Sequence, residues 1–154
     1  MANTYSQIYI HVVVVVEGRK NLLHPTRNTA LQNLIAGIIS ADKHELIAIN
    51  TLPDHLHVLV GLRPEAAVSN LVRSIKINSS RFINRKRWVK GRFSWHKGFG
   101  AFSCSRSQLH AEIRSIVNQQ QHHVKKTFHE EFTSLLDKFH IPYDHRYVFQ
   151  APRD

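Results

Sequence analysis

At 154 residues the chain is long enough for one domain with a buried core and too short for two full-sized ones. A 42% hydrophobic content with six glycines and five prolines excludes a fibrous or disordered chain, and the lone Cys104 excludes an intrachain disulfide and a four-cysteine zinc site. Lys and Arg number 21 against 11 acidic residues, and the resulting formal charge of +10 points to a polyanionic partner, nucleic acid first.

Tyr5 to Val16, YSQIYIHVVVVV, is rich in β-branched and aromatic residues and apolar on both faces, which predicts a central strand. The run Val12 to Val16 is much shorter than the roughly 20 residues of a membrane span, and MANTYSQ lacks the basic start of a secretory signal. A cytoplasmic protein with no membrane partner is expected. Leu31, Leu34, Ile35, Ile38 and Ile39 recur at helical spacing behind Pro25, Thr26 and Asn28, predicting a helix over 28–40. His44 to Leu52 and Asp54 to Leu62 read as two strands joined at Pro53 in a hairpin. A second helix is predicted from Pro64, with Val68, Leu71, Val72, Ile75 and Phe82 on its apolar side.

Gly98 to Ser105 is a short strand, SRSQLH opens a third helix running toward His123, and Glu130 to Phe139 is helical. Strand, helix, strand, strand, helix, strand is the order of an α+β protein, a ferredoxin-like split β-α-β sandwich. Its antiparallel sheet carries packed helices and an extra C-terminal helix. One domain over 1–154 is expected, with a core to about residue 125 and a C-terminal helix and tail over 126–154.

Within the hairpin lies PDHLHVLV, Pro53 to Val60. Residues two apart on a strand share a face, so His55 and His57 project side by side and can share a metal ion. Two satisfied core or surface histidines are the other reading, although burying two imidazoles without partners costs hydrogen-bonding free energy.

This His-hydrophobic-His segment is similar to the motif of the HUH nucleases. The whole chain resembles their single-tyrosine branch, the bacterial insertion-sequence transposases of the TnpA type. The resemblance runs from TYSQIYIH through LVRSIKINSSRFIN and FSWHKGFGAFSCS to VNQQQHHVKKTFHEEF and YDHRYVF. It implies a ferredoxin-like fold, a homodimer, and metal-assisted cleavage and joining of single-stranded or hairpin-bearing DNA through a 5′-phosphotyrosine. His55 and His57 would hold the cation, Mg or Mn. By its place in the motif, Gln119 would be the third ligand.

One residue departs from that pattern. Where the family has a tyrosine in Tyr-Ile-x-Asn-Gln, this chain has Ser115-Ile116-Val117-Asn118-Gln119, with positions 115 and 119 expected on one helix face. A tyrosine oxygen lies roughly 6.5 Å from its Cα and a serine oxygen roughly 2.4 Å, whereas misplacement by about 1 Å can cost a hundredfold in rate. Ser115 therefore falls short of the phosphorus, and impaired covalent chemistry is expected.

From Glu65 to Glu112 no acidic residue intervenes, and Arg73, Lys76, Arg81, Arg85, Lys86, Arg87, Lys90, Arg92 and Lys97 all fall inside. These are the expected DNA-binding cations, with Ser79, Ser80 and Asn78 adding phosphate contacts. Trp88 and Trp95 lie among them, either as stacking platforms for unpaired bases or as core. A non-catalytic nucleic-acid-binding module of the same fold is the alternative function.

Overall fold

The computed structural model describes residues 4–119, 127–144 and 148. Four strands, β1 (Tyr9–Val15), β2 (Glu45–Leu52), β3 (His55–Gly61) and β4 (Gly100–Cys104), form one sheet in the order β2-β3-β1-β4. All three neighbouring pairs are antiparallel. Helices α1 (Asn28–Ala41) and α2 (Val68–Lys86) connect the strands, and α3 (Leu109–Val117) and α4 (Phe128–Lys138) follow β4. This is the ferredoxin-like α+β sandwich expected, with helices added after the last strand.

Side-chain alternation divides the strands between two faces. Val12 and Val14 of β1, Val16 just beyond it, and Leu56, Val58 and Val60 of β3 pack with Leu31, Ile35 and Ile39 of α1 and Leu71, Val72 and Ile75 of α2. Val13 and Val15 point the other way, toward Phe102 of β4 and Phe128, Phe132 and Leu136 of α4. Beside them Leu59 and Ala48 meet Ile116 of α3. Val12 to Val16 are completely buried because β1 is central and covered on both sides.

The β2-β3 hairpin forms as expected: Leu52 pairs with His55 across a turn at Pro53 and Asp54, with a register shift between Leu46 and Ala48. α1 starts where its signals placed it, after a 3-10 turn over Pro25–Arg27. α2 does not start at Pro64. The amide of Leu62 still bonds to the carbonyl of Ile8, so the chain leaves the sheet late. A turn closed from Ala66 N–H to the Arg63 carbonyl precedes the helix, and Val68 is its first residue. Arg87 then ends it in the left-handed conformation, its N–H returned to the Asn84 and Ile83 carbonyls.

Gly100 is needed where it stands. A Cβ there would lie 2.8 Å from the Phe132 ring, so the missing side chain lets α4 approach β4.

Candidate metal centre and nucleic-acid interface

β3 puts His55 and His57 on the face away from the aliphatic core, with ring centroids 5.0 Å apart. Both are closed from solvent, at 0% and 1% exposure. Their surroundings are polar and aromatic rather than aliphatic: Asp54, His11, Phe128 and Glu131. Among the described residues, one ring nitrogen from each histidine and a Glu131 carboxylate oxygen all lie within 4.8 Å of one another. α4 supplies both the carboxylate and the cover, since the Phe128 ring lies 4.4 Å from that of His55.

Hydrogen bonds to the far side of each ring set its orientation. Nδ1 of His55 donates to the Asp54 carboxylate at 2.6 Å, which leaves Nε2 of the neutral ring as a lone-pair donor toward a cation. Nδ1 of His57 lies 2.9 Å from Nε2 of His11, and the other nitrogen of His11 lies 3.1 Å from the Glu112 carboxylate. Nε2 of His57 faces Glu131 at 3.4 Å and has no hydrogen-bond partner among the described residues. Burial pushes the His57 imidazole down to about 3, against the pull of the Glu131 carboxylate and with help from His55 and His11. It is neutral at physiological pH and fit to ligate.

Glu112 is held down to about 2, mainly by its hydrogen bond with His11, against burial and with Lys138 assisting. Buried acceptors converging on one point are the requirement for a cation site, and two imidazoles with a carboxylate are a donor set for a divalent transition metal.

Gln119, expected to complete the site, follows a break rather than continuing a helix. α3 ends at Val117 with Asn118 as its C-cap, so Ser115 and Gln119 do not share the face of one unbroken helix. A distant residue marks this break: the Asn50 amide donates to the Ile116 carbonyl at 2.9 Å, tying the helix end to β2. Gln119 is nevertheless buried, and its side-chain oxygen has no hydrogen-bond partner among the described residues. Ser115 is half-buried on α3, one turn beyond Glu112.

Comparison with known proteins decides the family. A family model described as "Transposase IS200 like" matches residues 4–120. The chain belongs to the IS200-like transposase family. A curated relative, the ISDra2 transposase TnpA of Deinococcus radiodurans, is 23% identical over 119 residues, covering 74% of this chain and 84% of the relative. Among solved structures, a REP-associated tyrosine transposase bound to a REP hairpin aligns with a TM-score of 0.61 at 17% identity, covering 100% of this chain and 93% of that one. A second solved structure, of a transposase from Deinococcus radiodurans R1, aligns with a TM-score of 0.59 at 20% identity over 78% of this chain and 95% of that one.

In this IS200-like transposase the basic segment is a surface on and after α2. Arg73, Arg81, Arg85, Lys86, Arg87, Lys90, Arg92 and Lys97 are exposed. Arg81, Arg92 and Lys97 line a cleft of about 590 Å³ between α2 and the following loop. Arg81 and Arg85 also reach a cleft of about 710 Å³ between α1 and α2.

Three residues expected to touch DNA are occupied otherwise. The Lys76 ammonium donates to the carbonyls of His96, Lys97 and Gly98 at 2.8, 3.0 and 3.0 Å, which uses all three of its protons to fix the loop. Burial lowers its pKa. Trp95 is core, its ring edge-on to Phe93 and its indole N–H donated to Ser79 at 2.9 Å. Ser79 is itself fully buried and unavailable to a phosphate. Trp88 is half-buried, with the Arg27 guanidinium 5.1 Å from its ring centroid.

Sequence reasoning missed Glu131, His11 and Glu112. Glu131 carried no signal, since an acidic residue in a terminal helix is ordinary. His11 carried a weak one, because it shares the β1 parity of Val13 and Val15, and thus the face of the histidine pair.

Proposed function

We propose that this IS200-like transposase binds single-stranded or hairpin-bearing DNA on its α2 surface. It holds a divalent cation between His55, His57 and Glu131, and its covalent strand chemistry is impaired because Ser115 stands at the position of the nucleophilic tyrosine. The observation that carries the reading is the convergence of two imidazoles and a carboxylate beneath α4. Gln119, with a buried side-chain oxygen lacking a partner among the described residues, is the candidate for a further oxygen donor. Mn²⁺ suits this donor set better than Mg²⁺, which prefers an all-oxygen, partly hydrated shell.

A bound cation supplies charge stabilisation to a phosphate in cleavage. The chain's own residues do the rest. Asp54 and His11 orient the two imidazoles, and the arginines of α2 and its loop hold the DNA backbone. His55 and His57 are closed from solvent, with Phe128 and Glu131 of α4 against them, so a phosphate reaches a cation there only if the cover over the pair opens. Affinity for a hairpin is supported by the REP hairpin bound to the structural neighbour. A homodimeric state and a cytoplasmic location belong to the same reading and rest on the family alone.

Incubation with Mn²⁺ and hairpin-ended single-stranded DNA tests this. A mobility shift without a covalent protein–DNA band on a denaturing gel is expected, and Ser115→Tyr is expected to produce that band. A covalent band from the wild-type chain overturns the loss of covalent chemistry. Absence of Mn²⁺ binding by calorimetry overturns the cation site.

A further inference from the structure

Behind the cation site stands a row of linked groups that takes no part in the three-residue cluster itself. His11 of β1, Glu112 of α3 and Lys138 of α4 are linked in sequence: His57 Nδ1 to His11 Nε2 at 2.9 Å, His11 Nδ1 to Glu112 Oε2 at 3.1 Å, and Lys138 Nζ to Glu112 Oε1 at 3.1 Å. His11 and Glu112 are buried, at 2% and 5% exposure.

The direction of each hydrogen bond follows from the carboxylate end. An ionised Glu112 can only accept, so the Nδ1–H of His11 donates to it. In a neutral His11 the opposite nitrogen then carries the lone pair, and the Nδ1–H of His57 donates to that lone pair. Nε2 of His57 is left bare, 3.4 Å from the Glu131 carboxylate. The reverse order, with a doubly protonated His11 donating to His57, would place a proton on Nε2. That proton would face the Glu131 carboxylate at 3.4 Å, and the closed-off ring of His11 would have to carry a second proton.

We propose that His11, held by Glu112 and Lys138, is a positioning residue that locks His57 in its Nδ1–H tautomer and so aims a bare Nε2 at the cation site. The purpose of the relay rests on the cation reading above, while its hydrogen-bond order stands independently. His55 receives the same service from its chain neighbour Asp54, whereas the partner of His57 lies 46 positions away on another strand. Three elements, β1, α3 and α4, must therefore be docked before His57 is set.

Ring-nitrogen NMR on the metal-free, histidine-labelled full chain reads the tautomer directly. A protonated Nδ1 and a bare Nε2 on His57 are expected, and a proton on Nε2 overturns the proposal. Mn²⁺ titration then separates His11→Leu, expected to bind about 10–100-fold more weakly, from His11→Gln, expected to keep most of the affinity. The glutamine amide can accept from Nδ1–H and donate to Glu112. Unchanged affinity in His11→Leu, or an equal loss in both variants, overturns the positioning role. A wild-type chain with the stated tautomer and no Mn²⁺ binding overturns the cation reading while upholding the hydrogen-bond order.

Discussion

The two faces of the sheet come from the same strands and do opposite work. Toward α1 and α2 the strands present Val12, Val14, Val16, Leu56, Val58 and Val60 to an apolar layer that includes Phe93 and Trp95. Toward α3 and α4 the same strands present His11, His55 and His57, whose partners are Glu112, Asp54 and Glu131. Stability and chemistry are thus separated by one residue of register, since a single-residue slip would exchange the two sets. The apolar face holds the strands at the spacing the histidines need, and the polar face carries buried groups that a purely stable sandwich would omit.

The separation breaks most sharply in the apolar layer. Ile75→Ala, in a completely buried position on α2, is expected to cost about 2–5 kcal/mol of stability by chemical denaturation. The protein that remains folded should keep its Mn²⁺ affinity. Gly100→Ala, on the other side, forces the Phe132 ring away and is expected to cost about 1–3 kcal/mol. Because Phe132 adjoins Glu131 on α4, Mn²⁺ binding should weaken in the same titration. Affinity unchanged in Gly100→Ala would detach α4 from the cation site.

Acid sharpens the contrast. The His57 imidazole stands at about 3 in the folded chain against 6.5 for a free histidine, so between those values the unfolded chain binds the additional proton. Stability of the metal-free protein should therefore be flat with respect to this group above pH 6.5 and fall as pH drops toward 3. Glu112, at about 2 against 4.5, adds a loss in the same direction from 4.5 downward. Thermal melts of wild type and His57→Leu across this range should differ in slope, with the variant flatter between 6.5 and 3. The smallest effect on stability is expected at the surface. Arg81→Ala should leave the melting temperature unchanged and reduce the salt dependence of DNA binding by about one unit of slope.

The order of elements and the shared face of His55 and His57 were legible because both depend on local periodicity. Alternation on a strand is a property of the backbone, and the apolar spacing of α1 survives any packing. The boundaries that moved were set from a distance. α2 starts late because Leu62 remains bonded to Ile8, and α3 breaks at Asn118, where the Asn50 amide reaches the Ile116 and Val117 carbonyls; the expected run on toward His123 lies outside the described residues. The basic stretch was legible as charge, but not which cations face solvent. Lys76 lies among carbonyls of a loop some twenty residues on, and Trp95 is drawn inward by Ser79 and Phe93.

The amino-acid order determined a basic, ferredoxin-like chain with paired imidazoles on one side of a strand. It did so because composition, period and motif are local properties. Only the tertiary structure decided that Glu131 joins the pair and that His11 orients His57, since strand pairing and the docking of α4 bring together residues with no periodic relation in the chain. Which groups meet across a core is set by packing, and packing is not written at any one position.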